Sequence, residues 1–122
     1  MDIRLITENK GDYMPLLLLA DEQTDIIERY LYRGELYALF HPNLRAACVL
    51  TDEGDGVFEL QNIAVLPKFQ RRGYGRLLVT HVVDACKGRA KTLMVGTGDS
   101  PMTLPFYDQC GFTFSHRIKD YM

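Results

Sequence analysis

The apolar and polar positions of this chain change period several times, and each change marks an element. Residues 3–6 read as a short first strand. Residues 13–19 read as a short helix, with Asp12 as its cap and Pro15 tolerated in the first turn. Over 24–32, Ile26, Ile27, Tyr30 and Leu31 recur at helical spacing and predict a second helix with one buried stripe. Gly34 is expected to stop it. Residues 35–41 and 45–51 predict two strands parted by Pro42-Asn43, and the polar stretch 52–56 predicts a hairpin turn. The apolar run 57–65 predicts another strand, and 76–86 a helix. A strand at 92–96, a loop at 97–101, a segment over 102–110 and a strand over 112–121 complete the chain. The predicted order is β-α-α-β-β-β-α-β-α-β, an α/β or α+β arrangement with a mixed sheet in one domain spanning 1–122.

The turn between the 57–65 strand and the 76–86 helix carries the first chemistry. It reads Gln70-Arg71-Arg72-Gly73-Tyr74-Gly75, followed by Arg76. A strand, a Gly-bearing turn and a helix start together make an anion site, because the first N–H groups of a helix lack internal partners and the helix dipole favours negative charge there. The two glycines let the backbone approach a phosphate without an intervening Cβ. Arg71, Arg72 and Arg76 add positive charge. A mononucleotide P-loop would need Lys and then Ser or Thr after its second glycine, where this chain has Arg76-Leu77. A dinucleotide fingerprint would need Gly or Ala where Leu78 stands, and an acidic residue that Asp99 supplies poorly.

Composition narrows the field without deciding it. The 122 residues suffice for one domain with a real core, at 47% hydrophobic and 25% charged. The net charge of −2, with only a local Arg cluster, argues against nucleic-acid binding. No apolar run approaches the roughly 20 residues of a membrane span, and the N-terminal residues lack a signal peptide's apolar segment. Cys48, Cys86 and Cys110 are an odd number without CxxC spacing, which suits reduced, mostly buried thiols in a cytoplasmic protein. His41, His81 and His116 are scattered, so no metal site is expected.

The pattern Gln-x-x-Gly-x-Gly between a strand and a helix resembles the acetyl-CoA pyrophosphate loop of the Gcn5-related N-acetyltransferase family. A second match follows at the right separation: Phe106-Tyr107-Asp108-Gln109-Cys110-Gly111-Phe112 resembles the family's short Tyr-bearing helix and the Gly-Phe that opens its next strand. The resemblance extends from about Ile3 to Tyr121. It implies an acyl-CoA N-acyltransferase fold: a mixed, mostly antiparallel central sheet flanked by helices. It also implies acetyl transfer from acetyl-CoA to an amine by direct attack in a ternary complex, without a metal.

Site roles follow from that resemblance, position by position. Glu59 lies in the central strand where many members carry the general base; the residue reads equally well as a solvated or ion-paired glutamate. In a regular strand Glu59 would share its face with Gln61, Ile63 and Val65. Tyr107 stands at the position of the general acid, and a phenol's unperturbed pKa of about 10 keeps it protonated near neutrality. Ile63 and Val65 would hold the acetyl and pantetheine groups through their backbone, and Gln70, Arg71, Arg72, Gly73, Tyr74, Gly75 and Arg76 the pyrophosphate. Ser100 replaces the family's frequent pantetheine-contacting Asn, and Thr103 a frequent Ala, while Pro101 and Pro105 shorten the expected helix.

The family's last strand has no counterpart here. The chain is then a piece of a longer one, or a domain that ends early, or one completed by a second subunit. An exposed strand edge invites pairing, so a homodimer is expected. The acceptor stays open among polyamines, amino acids, antibiotics and protein amines. Asp21, Glu22, Asp25 and Glu28 would attract a cation or form a solvated helix face. The competing function is an acetyl-CoA-binding sensor or partner module without transfer activity.

Overall fold

The computed structural model describes residues 1–95 and 102–105. Tyr107, Ser100, Cys110 and the Gly111-Phe112 pair lie outside them. Described strands are β1 (Asp2–Ile6), β2 (Glu35–Phe40), β3 (Leu44–Gly54), β4 (Val57–Val65), β5 (Thr92–Val95) and β6 (Met102–Pro105). They form one six-stranded sheet in chain order. All pairings are antiparallel except β4 with β5, which is parallel. The helices are α1 (Met14–Leu17), α2 (Thr24–Leu31) and α3 (Tyr74–Cys86). This is the expected mixed, mostly antiparallel sheet flanked by helices.

The sheet is covered on both faces, because the stretches 36–39 of β2, 46–50 of β3 and 63–65 of β4 are apolar and buried at every position. On one face α3 sets Leu78, Val79 and Val82 against Leu39, Leu50 and Leu60. On the other, Leu17 of α1 and Ile27 and Leu31 of α2 cover Leu36, Ala38 and Val49. Each fully buried aliphatic side chain contributes about 1.5–3 kcal/mol. Small residues, Ala46 and Ala47 in β3 and Ala64 in β4, let the helices approach the central strands closely.

Three local expectations are corrected. Asp12 caps nothing: it lies in a 3-10 turn, Lys10–Tyr13, that precedes α1, and α1 has no side-chain cap. Gly34 is glycine for space, not for a left-handed stop. Its φ is not positive, and a Cβ there would stand 2.7 Å from the Tyr30 carbonyl oxygen and 2.8 Å from that of Leu50. The helix expected to begin near Met102 is replaced at its start by strand β6, paired Thr92↔Pro105 to Val95↔Met102. Pro105 disfavours helical backbone at the residue before it, and it lacks the N–H an inner strand would use, which suits β6 as the outermost of the described strands.

Candidate acyl-donor and acceptor site

The site grows from an irregularity in β4. Opposite β3 the register runs Thr51↔Glu59, Leu50↔Leu60 and then Val49↔Asn62, so Gln61 is an extra residue, a β-bulge. Residues paired across an antiparallel ladder share a face. Glu59, paired with Thr51, therefore lies on the same face as Asn62, paired with Val49, the face that α1 and α2 cover. Ile63 and Val65 belong to the opposite, α3 face with Phe58 and Leu60. The expected common face of Glu59, Gln61, Ile63 and Val65 fails beyond Gln61, because one inserted residue inverts a period of two.

The described pairing of β4 with β5 ends just before the bulge. Their parallel pairing runs from Val57↔Thr92 to Leu60↔Val95, and β4 continues to Val65 with no described partner on that side. The N–H of Leu66 donates to the Arg45 carbonyl at 2.9 Å, which directs that residue's groups toward β3. By alternation the backbone groups of Val65 and Ile63 point away from β3, to the side of β4 that bears β5. The side chain of Gln70 confirms the direction: its Nε2 donates to the Val65 carbonyl oxygen at 3.1 Å. Among the described residues, the Ile63 amide and carbonyl and the Val65 amide thus form an open backbone edge.

The loop after β4 delivers the chain to α3. Arg71 (φ 64°) and Gly73 (φ 89°) are both left-handed, and Gly73 is the N-cap. No side chain caps this helix. Its first internal bond runs from the Leu77 amide to the Gly73 carbonyl at 3.0 Å, so the amides of Tyr74, Gly75 and Arg76 have no acceptor within the helix. Arg71, Arg72 and Arg76 are exposed around them. Sequence reading missed two neighbours, Arg45 and Phe69: Arg45 of β3 lies over the Phe69 ring at 3.6 Å, and the expected Arg72 approaches the same ring at 6.0 Å. Only the fold brings Arg45 beside this loop.

Glu59 is half-buried, and burial pushes its carboxyl above the usual carboxylate range. The nearby Glu53 charge adds to the rise and Arg33 opposes it. Glu53 moves the other way: a hydrogen bond from the Thr51 hydroxyl, then its pairing with Arg33 at 2.8 Å, holds it below that range. Gln61 joins the group by donating from Nε2 to Thr51 Oγ1 at 3.2 Å. Two neighbouring carboxyls are thus shifted in opposite directions, Glu59 up and Glu53 down.

Asn62 is a further omission of the sequence reading, although an amide directly before the apolar run Ile63-Ala64-Val65 was a visible signal. It is 4% exposed, and Nδ2 donates to the Leu17 carbonyl at 3.0 Å and to the Tyr30 hydroxyl at 2.9 Å. Tyr30 in turn reaches Asp21 Oδ2 at 3.3 Å, and burial pushes its phenol up to about 12. Asp21 is thereby tied into the protein, whereas Glu22, Asp25 and Glu28 are exposed. Cys48 and Cys86 are free and buried, and burial raises both thiols. Among the described residues, no helix is long and apolar enough to cross a membrane.

The chain as a whole is similar to known proteins. Residues 32–114 match the family profile described as an acetyltransferase (GNAT) domain. A Bacillus subtilis protein named as the uncharacterized N-acetyltransferase YvbK is 37% identical over 113 residues, covering 90% of this chain and 73% of that protein. An IAA acetyltransferase from Bacillus cereus superposes with a TM-score of 0.74 at 34% identity, over 81% of this chain and 67% of that one. A GNAT family acetyltransferase from Elizabethkingia anophelis, solved with acetyl-CoA bound, gives a TM-score of 0.74 at 36% identity, over 81% of this chain and 66% of that one. The chain thus spans two thirds to three quarters of the length of these relatives. The profile match, the identity and the shared fold agree: this chain belongs to the GNAT family of acetyltransferases.

Proposed function

We propose that this N-acetyltransferase moves an acetyl group from acetyl-CoA to a primary amine by direct attack in a ternary complex. One observation carries the reading: the open backbone edge of Ile63 and Val65 leads directly into the uncapped start of α3. An acyl thioester followed by a pantetheine arm and a pyrophosphate matches such a run, amides and carbonyls first and anion-binding N–H groups after them. In this reading Ile63 and Val65 hold the acetyl and pantetheine groups. The amides of Gly73, Tyr74, Gly75 and Arg76, with the Arg71 and Arg72 guanidiniums, hold the pyrophosphate. Gln70 keeps the strand end and the loop in register through Val65. Ser100 contacts the pantetheine.

A protonated amine has no lone pair with which to attack, and free alkyl amines stay protonated near neutrality. Glu59, its carboxyl raised by burial, accepts that proton directly or through a water. The amine nitrogen then attacks the acetyl carbon, the C–S bond breaks, and Tyr107 protonates the departing thiolate. Both Cys48 and Cys86 are buried with raised thiols, which suits direct transfer better than an acetyl-cysteine intermediate.

The test is calorimetric titration with acetyl-CoA, with pyrophosphate as control, followed by thiol release over an amine panel. Saturable binding much tighter than that of pyrophosphate, with amine-dependent thiol release, is expected. Equal affinity for pyrophosphate and acetyl-CoA would remove the acyl-donor site. Tight binding without release for any amine would favour a sensor.

A further inference from the structure

The donors of Asn62 are committed and its acceptor is not. The Leu17 carbonyl can only accept, so its 3.0 Å contact identifies Nδ2 as the amide atom facing it. The second Nδ2 hydrogen goes to the Tyr30 oxygen, whose own proton is directed to Asp21. Oδ1 is left buried, with no hydrogen-bond partner among the described residues. Asn62 is 4% exposed, and buried acceptors are nearly always satisfied, so a donor from outside the described protein belongs there.

The position says which donor. Asn62 precedes Ile63, whose backbone edge is the proposed acetyl-binding position, and the Gln61 bulge puts Asn62 on the face of Glu59. That face therefore offers two acceptors of different kinds: a neutral amide oxygen that orients an N–H but takes no proton, and a carboxylate that takes one. A primary ammonium carries three donors and no acceptor, which complements this pair. We propose that Asn62 Oδ1 receives an N–H of the primary-amine substrate and aims the nitrogen lone pair at the acetyl carbon. The Tyr30–Asp21 chain and Leu17 hold the amide in that orientation. The proposal rests on the N-acetyltransferase reading above and adds an amine-orienting residue to it.

The direct test is NMR of the 15N-labelled protein with coenzyme A present, following the Asn62 side-chain amide. The probes are n-butylammonium and n-butyltrimethylammonium, equal in charge but only the first bearing N–H. A saturable shift with n-butylammonium and none with the quaternary ion is expected. In kinetics with n-butylamine, Asn62→Ala should raise the amine KM at least tenfold and leave that of acetyl-CoA within twofold. A purely structural role would move both constants, or thermal stability alone. Equal responses to the two cations, no response to either, or an unchanged amine KM would overturn the proposal and assign Oδ1 to a water. Should Asn62→Ala not fold, the wild-type titration decides. Failure of the acetyltransferase reading looks different: no acetyl-CoA binding by the wild type, whatever the amine does at Asn62.

Discussion

Glu59 and Asn62 project from the same face of β4, although their spacing in a regular strand would put them on opposite faces. Gln61 is the cause: it has no partner in β3, and the inserted residue restores parity between its neighbours. The same bulge turns Ile63 and Val65 to the α3 face and coincides with the end of the β4–β5 pairing at Leu60. One irregular residue thus gathers the proposed proton acceptor, an amide oxygen and a backbone edge that both lack partners among the described residues.

If Glu59 is the base, Glu59→Gln should lower kcat about 10²–10⁴-fold while the calorimetric affinity for acetyl-CoA stays the same. The base works deprotonated, so the rate falls as pH drops through its raised pKa, and the acid limb should lie above the ordinary glutamate value near 4.3. Glu53→Gln removes a negative neighbour and should move that limb to lower pH. Profiles of kcat/KM against pH check both shifts. An acid limb that ignores Glu53→Gln would count against Glu59 as the titrating group.

Gly73→Ala should weaken acetyl-CoA binding without any steric clash. Nothing lies within 4 Å of the added Cβ, so the cost is the left-handed backbone alone, about 1–2 kcal/mol for a non-glycine residue. Relief of that strain redirects the amides that open α3. Gly73→Asn, better tolerated in this conformation, should keep more affinity than Gly73→Ala; calorimetry ranks the three proteins.

Gly34→Ala should destabilise the fold by about 1–3 kcal/mol. The new methyl meets the carbonyl oxygens of Tyr30 and Leu50, atoms of a helix and a strand that cannot yield separately, and the Val49 side chain at 2.9 Å. Urea denaturation measures the loss. A variant as stable as the wild type would mean that the α2–β2 connection shifts freely.

Glu35→Gln should cost stability near neutrality and progressively less in acid. Arg89 binds Glu35 through two hydrogen bonds, at 2.8 and 3.0 Å, and holds its carboxyl below the usual range. A lowered folded-state pKa adds stability above the unfolded value, and that stability is lost as pH falls through the folded value. The gap in melting temperature between wild type and variant should therefore close as the pH is lowered below about 4. A gap independent of pH would assign the effect to packing of Arg89 on the Phe58 ring.

Tyr107→Phe should lower turnover with little change in acetyl-CoA affinity if the phenol protonates the departing thiolate. Calorimetry and steady-state rates on the same preparation separate the two effects. Unchanged turnover would remove Tyr107 from the mechanism.

Element types and order from β1 to β5 were legible in the sequence, because two-residue and helical periods record which positions a sheet or a helix buries. So was the start of α3, since glycines and arginines between a strand and a helix have a local electrostatic meaning. The β6 strand was not, because helix and strand compete closely over four residues and pairing with β5 settled it. Nor was the division of β4 between two faces: Gln61 looks like any strand residue until its lack of a partner in β3 is seen. Likewise, only tertiary structure brings Leu17, Tyr30 and Asp21 to Asn62, and Arg45 to Phe69. Sequence alone determined what can be read within a few neighbouring residues: local backbone preference, burial period and the chemistry of the α3 turn. Tertiary structure decided the faces and the partners, because a ladder's register and a buried amide's hydrogen bonds depend on residues 10 to 45 places away in the chain.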